Sequence, residues 1–133
     1  MARELALRPD ITIRHREHLQ ADAAGLATTV LPQHDPSERM ATVVRVRDGT
    51  CRFPSCRAPA RRCDIDHTIR YPDGPTAIWN LACLCRRHHR LKHEAGWHLV
   101  QHAHGILEWT SPTGHIYTTH PSGPLDRREP DPD

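Results

Sequence analysis

Residues 63–93 read CDIDHTIRYPDGPTAIWNLACLCRRHHRLKH. Cys63–Ile69 alternates as a strand does, and 71–75 (YPDGP) is turn chemistry. Asn80–Cys85 (NLACLC) reads as a second short strand. Arg86–Ala95 reads as a short helix stopped by Gly96. Three features of this strand–loop–strand–helix unit carry chemistry. Asp66-His67 closes the first strand, and Asn80 follows thirteen residues after His67. His89 and His93 lie four apart on the helix, so both imidazoles leave from one face. A carboxylate with one or two imidazoles holds a divalent cation and leaves positions open for water and phosphate. Side chains alternate along a strand, so His67 faces away from Asp66 and sits beside the cation, where a general base belongs.

Cysteine and histidine gather in the same region. The five cysteines are Cys51, Cys56, Cys63, Cys83 and Cys85, and the chain has 12 histidines. An odd count argues against a disulfide framework, and the spacing suits metal. Cys51-x4-Cys56 and Cys85-x2-His88 supply two ligand pairs for a structural Zn²⁺, with Cys63 able to replace one member. His88 and His89 diverge by about a hundred degrees around a helix. One can therefore face the zinc while the other faces the second cation. Cys83 reads as a buried thiol.

Outward from this unit, Asp35-Pro36-Ser37-Glu38 predicts a helix start, with Asp35 capping and Glu38 as the acid of a capping box. Met40, Val43 and Val44 share its inner face, and Asp48-Gly49 ends it. Residues 50–62 form a loop that needs a crosslink. Residues 97–103, 106–110 and 115–119 read as a small meander. Ile11 and Ile13 suggest a short strand, and Leu26–Leu31 a helical turn, in an otherwise weakly patterned segment 1–34. Residues 121–133, rich in Pro, Asp and Arg, read as a disordered tail.

The formal net charge of +2 is unevenly spread: −2 over residues 1–38, +7 over 39–98 and −3 over 99–133. A basic island of this kind suits a polyanion. Arg70, Arg86, Arg87, Arg90 and Lys92 are the candidate phosphate contacts, although a solvated helix face has the same composition. No stretch approaches the roughly 18 apolar residues of a membrane span. The first ten residues, MARELALRPD, lack the apolar core of a signal peptide. A cytoplasmic protein without a membrane partner is the expectation.

Asp66-His67, Asn80-Leu81 and 84–93 (LCRRHHRLKH) together resemble the HNH motif of ββα-metal nucleases. The resemblance covers roughly residues 45–120. Residues 47–56 (RDGTCRFPSC) and 109–114 (WTSPTG) look like an actinobacterial group in which the HNH domain follows a domain of unknown function. It implies an α+β fold: a ββα-metal (His-Me finger) motif braced by a structural zinc and followed by the meander. It implies an HNH domain over 35–120, with 1–34 as the end of the upstream domain. It implies His67 as general base, Asn80 holding the base's geometry, and Asp66, His89 and His93 binding Mg²⁺ or Mn²⁺. The expected activity is metal-dependent hydrolysis of DNA phosphodiester bonds. The rival expectations are a zinc-braced DNA-binding module without cleavage and an RNA-directed nuclease.

Overall fold

A computed structural model describes residues 9–123, and residues 9–17 by backbone alone. The architecture is α+β. Helices α1 (Pro9–Leu26) and α2 (Glu38–Asp48) precede a two-stranded antiparallel sheet, β1 (Cys63–His67) and β2 (Leu81–Cys85). Helix α3 (Arg86–Glu94) follows β2 directly. A three-stranded antiparallel meander, β3 (His98–Gln101), β4 (Leu107–Thr110) and β5 (Ile116–Thr119), completes the fold.

Three expectations at the periphery are corrected. Ile11 and Ile13 lie in α1 and not in a strand. Farther along the same helix, Leu19, Ala23 and Leu26 recur at helical spacing, and Leu19 and Leu26 are buried. The start of α2 is set by Ser37, whose hydroxyl accepts from the Met40 amide at 3.2 Å. Asp35 lies two residues outside that cap, and Glu38 opens the first turn, where its charge complements the helix dipole. Residues 122–123, expected in the tail, are held in place. The amides of Ser122 and Gly123 donate to the carbonyls of Asp48 and Arg47, fastening residues 122–123 to the end of α2. The rest of the expected tail, 124–133, and residues 1–8 lie outside the described residues.

One core joins the helices to both sheets. Met40, Val43 and Val44 of α2 pack with Leu81, Ala82, Cys83 and Leu84 of β2 and with Leu107 and Trp109 of β4. An ionic knot centred on the fully buried Asp48 and Arg52 crosses it. Asp48 accepts from Arg47 at 2.7 Å and Arg52 at 3.0 Å, and from the Cys83 amide at 2.9 Å. Arg47 continues to the carbonyls of Ile78 and Leu81, and Arg52 to that of Thr119. Asp48 thus links α2 to β2 and, through Arg52, to β5. Asp48→Ala strands a buried guanidinium, a change that typically costs about 3–5 kcal/mol. Urea unfolding of the two proteins should show a midpoint lowered to match, with an unchanged slope.

The β1–β2 register sets Cys63 opposite Cys85, Asp66 opposite Ala82 and His67 opposite Leu81. The long connection between the strands is closed by Asn80. Its Oδ1 accepts from the Ile69 amide at 2.9 Å, and its Nδ2 donates to the carbonyls of Ile69 and Pro75 at 3.0 and 2.9 Å. Gly74 lies so near this bracket that a Cβ there would fall 2.3 Å from the Ile69 carbonyl oxygen. The turn therefore needs glycine for close approach.

Candidate metal and catalytic site

Two clusters of ligating atoms share α3, one through His88 and the other through His89 and His93. In the first stand Cys51, Cys56, Cys85 and His88, one ligand atom from each lying within 4.8 Å of the others. His88 Nδ1 is 3.6 Å from Cys51 Sγ and 3.3 Å from Cys85 Sγ. Tetrahedral zinc places S and N ligands about 3.5 Å apart, from bonds of about 2.3 and 2.0–2.1 Å. The set therefore fits zinc in donor type and spacing. Cys51 and Cys56 come from the loop after α2, Cys85 from the end of β2 and His88 from α3, so one ion would tie all three together. Phe53 stacks on His88 at 4.1 Å between centroids and meets Trp97 and Trp109 edge-on, walling the site with aromatic rings. Burial pushes the Cys51 thiol well up, and burial together with Arg87 lowers the His88 imidazole. Cys63 stays outside the cluster, its thiol against the carbonyls of Ala58 and Pro59. Burial raises it to about 11. Cys83 is a fully buried thiol.

In the second cluster, Asp66 Oδ1 lies 3.1 Å from His89 Nε2 and 3.3 Å from His93 Nε2. Adjacent ligands of an octahedral cation with bonds of about 2.1 Å stand about 3 Å apart, so this set also fits a divalent ion. Asp66 comes from β1 and is 6% exposed, while both imidazoles come from α3. Lys92 occupies the second oxygen, Oδ2, and also donates to the His67 carbonyl at 2.7 Å.

His67 turns to the opposite face of β1, as strand alternation requires. Its Nε2 lies 2.9 Å from the hydroxyl of Thr76. That hydroxyl has carbonyl acceptors for its one proton, Gln33 at 2.6 Å and His34 at 3.1 Å. Thr76 therefore accepts from His67, which fixes the neutral ring as the Nε2–H tautomer with the lone pair on Nδ1. Burial first, and then the neighbouring His34, hold the His67 imidazole below its ordinary value. The ring is thus neutral near pH 7.

The Asn80 side chain hydrogen-bonds the backbone of the loop after β1, at Ile69 and Pro75. Arg70, Arg87 and Arg90 are exposed. Arg86 is exposed too, but forms a two-pronged ion pair with Asp64 at 2.9 and 3.1 Å. Lys92 is committed to Asp66 and His67 and is nearly buried, so it stands inside the cluster and not on the open helix face.

Four residues at the site carry no local sequence signal: Thr76, Gln33, His34 and Asp64. Gln33 and His34 belong to the weakly patterned segment after α1. This segment is pinned by a bridge between Leu31 and Thr76 and by the Tyr71 hydroxyl on the Pro32 carbonyl. His34 Nδ1 faces Asp35, and its ring lies 5.0 Å from that of His67. Partial burial works against the Asp64 carboxylate, but hydrogen bonds from His89 and then Arg86 outweigh it and hold its acid below the usual range.

The fold and site define an α+β domain with two candidate metal clusters sharing one short helix. Uncharacterized protein Rv3776 of Mycobacterium tuberculosis (strain H37Rv) is 56% identical over 91 residues, which is 68% of this chain and 18% of that protein. Uncharacterized protein Rv2100 of the same strain is 54% identical over 91 residues, 68% of this chain and 16% of that protein. The chain thus spans less than a fifth of the length of these curated relatives. No protein-family profile matches the chain, and no solved structure matches it. No helix among the described residues is long and apolar enough to cross a membrane.

Proposed function

We propose that this chain is an HNH-type nuclease domain that hydrolyses DNA phosphodiester bonds with a divalent cation, Mg²⁺ or Mn²⁺. The supporting observation is the convergence of Asp66 of β1 with His89 and His93 of α3 within 4.8 Å, beside a buried, tautomerically fixed His67 that follows Asp66 on the strand. In this reading β1, β2 and α3 are the ββα-metal motif and the Cys₃His set is its zinc brace.

His67 Nδ1 takes a proton from water as the water oxygen attacks phosphorus in line. The bond from phosphorus to the 3′ oxygen breaks, and solvent supplies that oxygen's proton. The products are a 5′-phosphate and a 3′-hydroxyl, as the family resemblance implies. When bound, the cation supplies positive charge to the phosphoryl oxygens and the leaving oxygen. Asp66 is held with Oδ2 on Lys92, so Oδ1 is the oxygen it presents with the imidazoles. Asn80 keeps the loop after β1 in register, and Arg70, Arg87 and Arg90 provide exposed charge for flanking phosphates.

The zinc-loaded chain is expected to nick supercoiled plasmid with added Mg²⁺ or Mn²⁺ and not with EDTA. Plasmid binding without nicking at any cation concentration would replace this reading with a zinc-braced DNA-binding module. Cleavage of structured RNA but not plasmid would make RNA the substrate.

A further inference from the structure

We infer that Asp64 is the positioning residue of the cation site, its carboxylate holding His89 so that Nε2 is the nitrogen offered to the ion. The inference rests on the reading of Asp66, His89 and His93 as a cation site and adds a residue outside that set.

Asp64 and Asp66 are two apart on β1, so both carboxylates leave the same face of the strand. Helix α3 crosses that face and places His89 between them. His89 Nδ1 is 3.0 Å from Asp64 Oδ2, and Nε2 is 3.1 Å from Asp66 Oδ1. An ionised carboxylate only accepts hydrogen bonds, so Nδ1 carries the hydrogen in the contact with Asp64. A neutral imidazole has one ring hydrogen, and its lone pair then lies on Nε2. That lone pair points at Asp66 Oδ1, also an acceptor, and His93 Nε2 approaches the same oxygen at 3.3 Å. A cation shared among the three turns this convergence of acceptors into a ligand set. The other ring nitrogen of a metal-bound histidine generally donates to a carboxylate or carbonyl, which fixes ring orientation and raises ligand basicity.

Arg86 completes the device. It sits one helical turn before His89 and grips both Asp64 oxygens, Nε to Oδ2 at 2.9 Å and an amino group to Oδ1 at 3.1 Å. The fork holds the carboxylate plane in place for His89. Lys92 does the corresponding work on Asp66. Arg86 therefore acts on the cation site through Asp64, in addition to any phosphate contact.

The test uses the full, zinc-loaded chain, with Mn²⁺ as the titration probe and Mg²⁺ for the spectra. Calorimetric titration should show Mn²⁺ affinity lowered about 10–100-fold by Asp64→Ala. Zinc content and thermal unfolding should stay close to wild type, since Asp64 is only half-buried. With the diamagnetic Mg²⁺ bound in place of Mn²⁺, the ¹⁵N spectrum of His89 should show the Nδ1–H tautomer, and Asp64→Ala should convert it to a mixture. Arg86→Ala, an exposed substitution, should give a smaller loss in the same direction and decides the matter should Asp64→Ala fail to fold. Unchanged Mn²⁺ affinity in both variants, or an Nε2–H tautomer in the Mg²⁺-bound wild type, overturns the assignment. A zinc-loaded wild type that takes up no Mn²⁺ overturns the cation site itself, and the plasmid assay reports on that reading separately.

Discussion

Cys51→Ser and Cys85→Ser are each expected to lose one tightly bound zinc and, with it, the folded state. Zinc modules of this kind draw about 10–16 kcal/mol from their metal, whereas a whole domain is stable by only about 5–15 kcal/mol. Apart from Arg52, which is held by Asp48, Thr119 and Trp109, the loop between α2 and β1 has few ties of its own. Its backbone ties are a few turn and bridge hydrogen bonds, such as Cys51 to Ala58 and Arg52 to Cys83. Loss of a thiolate leaves Cys56 and Phe53 without an anchor and opens the aromatic wall against Trp97 and Trp109. The variants should express poorly, and elemental analysis of any soluble fraction should find zinc well below one ion per chain. Circular dichroism should show an early, broad thermal transition. Cys63→Ser is the control, since its thiol hydrogen-bonds to the carbonyls of Ala58 and Pro59, outside the zinc cluster, and the variant should keep the zinc. Zinc retained in full by both Cys51→Ser and Cys85→Ser would dismiss the ligand set. Zinc lost from Cys63→Ser alone would assign that cysteine in place of one of them.

The unit from Cys63 to Glu94 was legible in sequence because each signal in it is local. Strand alternation, turn residues and ligand spacing all act over a few residues. The divergence of His88 and His89 follows from helix geometry, and the two residues fall in different clusters. What stayed hidden depends on contacts distant in sequence. Thr76 meets the carbonyls of Gln33 and His34 across more than forty residues, and no pattern in 1–34 announces this. Asp64 reads as an ordinary polar strand residue until α3 lies across β1. Lys92 reads as one more basic group, yet the helix register turns it inward onto Asp66. Helix α1 was obscured by two β-branched isoleucines, whose weak local preference loses to the helical spacing of Leu19, Ala23 and Leu26. Asn80 is marked in sequence by its motif position, whereas its hydrogen bonds to the Ile69 and Pro75 backbone appear only in the fold.

Separate removal of the base and of a ligand should give different kinetic failures. His67→Ala is expected to lower the plasmid-nicking rate about 10²–10⁴-fold, the usual contribution of a positioned general base. The side chain is buried beside His34 and Tyr71, so some stability is lost as well. Thermal unfolding must therefore be measured on the same sample to show that the domain is folded at the assay temperature. Mn²⁺ affinity should be unchanged, because His67 faces away from Asp66, and raising Mn²⁺ should not restore cutting. His89→Ala removes a ligand and not the base, so Mn²⁺ affinity should fall with the rate, and excess Mn²⁺ should restore part of it. His93→Ala should be milder than His89→Ala, since its imidazole is the more exposed and lies farther from Asp66. The measurement is a set of nicking rates across Mn²⁺ concentrations for the three variants and wild type, beside calorimetric titrations. Wild-type cutting by His67→Ala would reject the base. Wild-type Mn²⁺ binding and cutting by His89→Ala would reject the cation centre, leaving the non-cleaving DNA-binding module as the better account of the same residues.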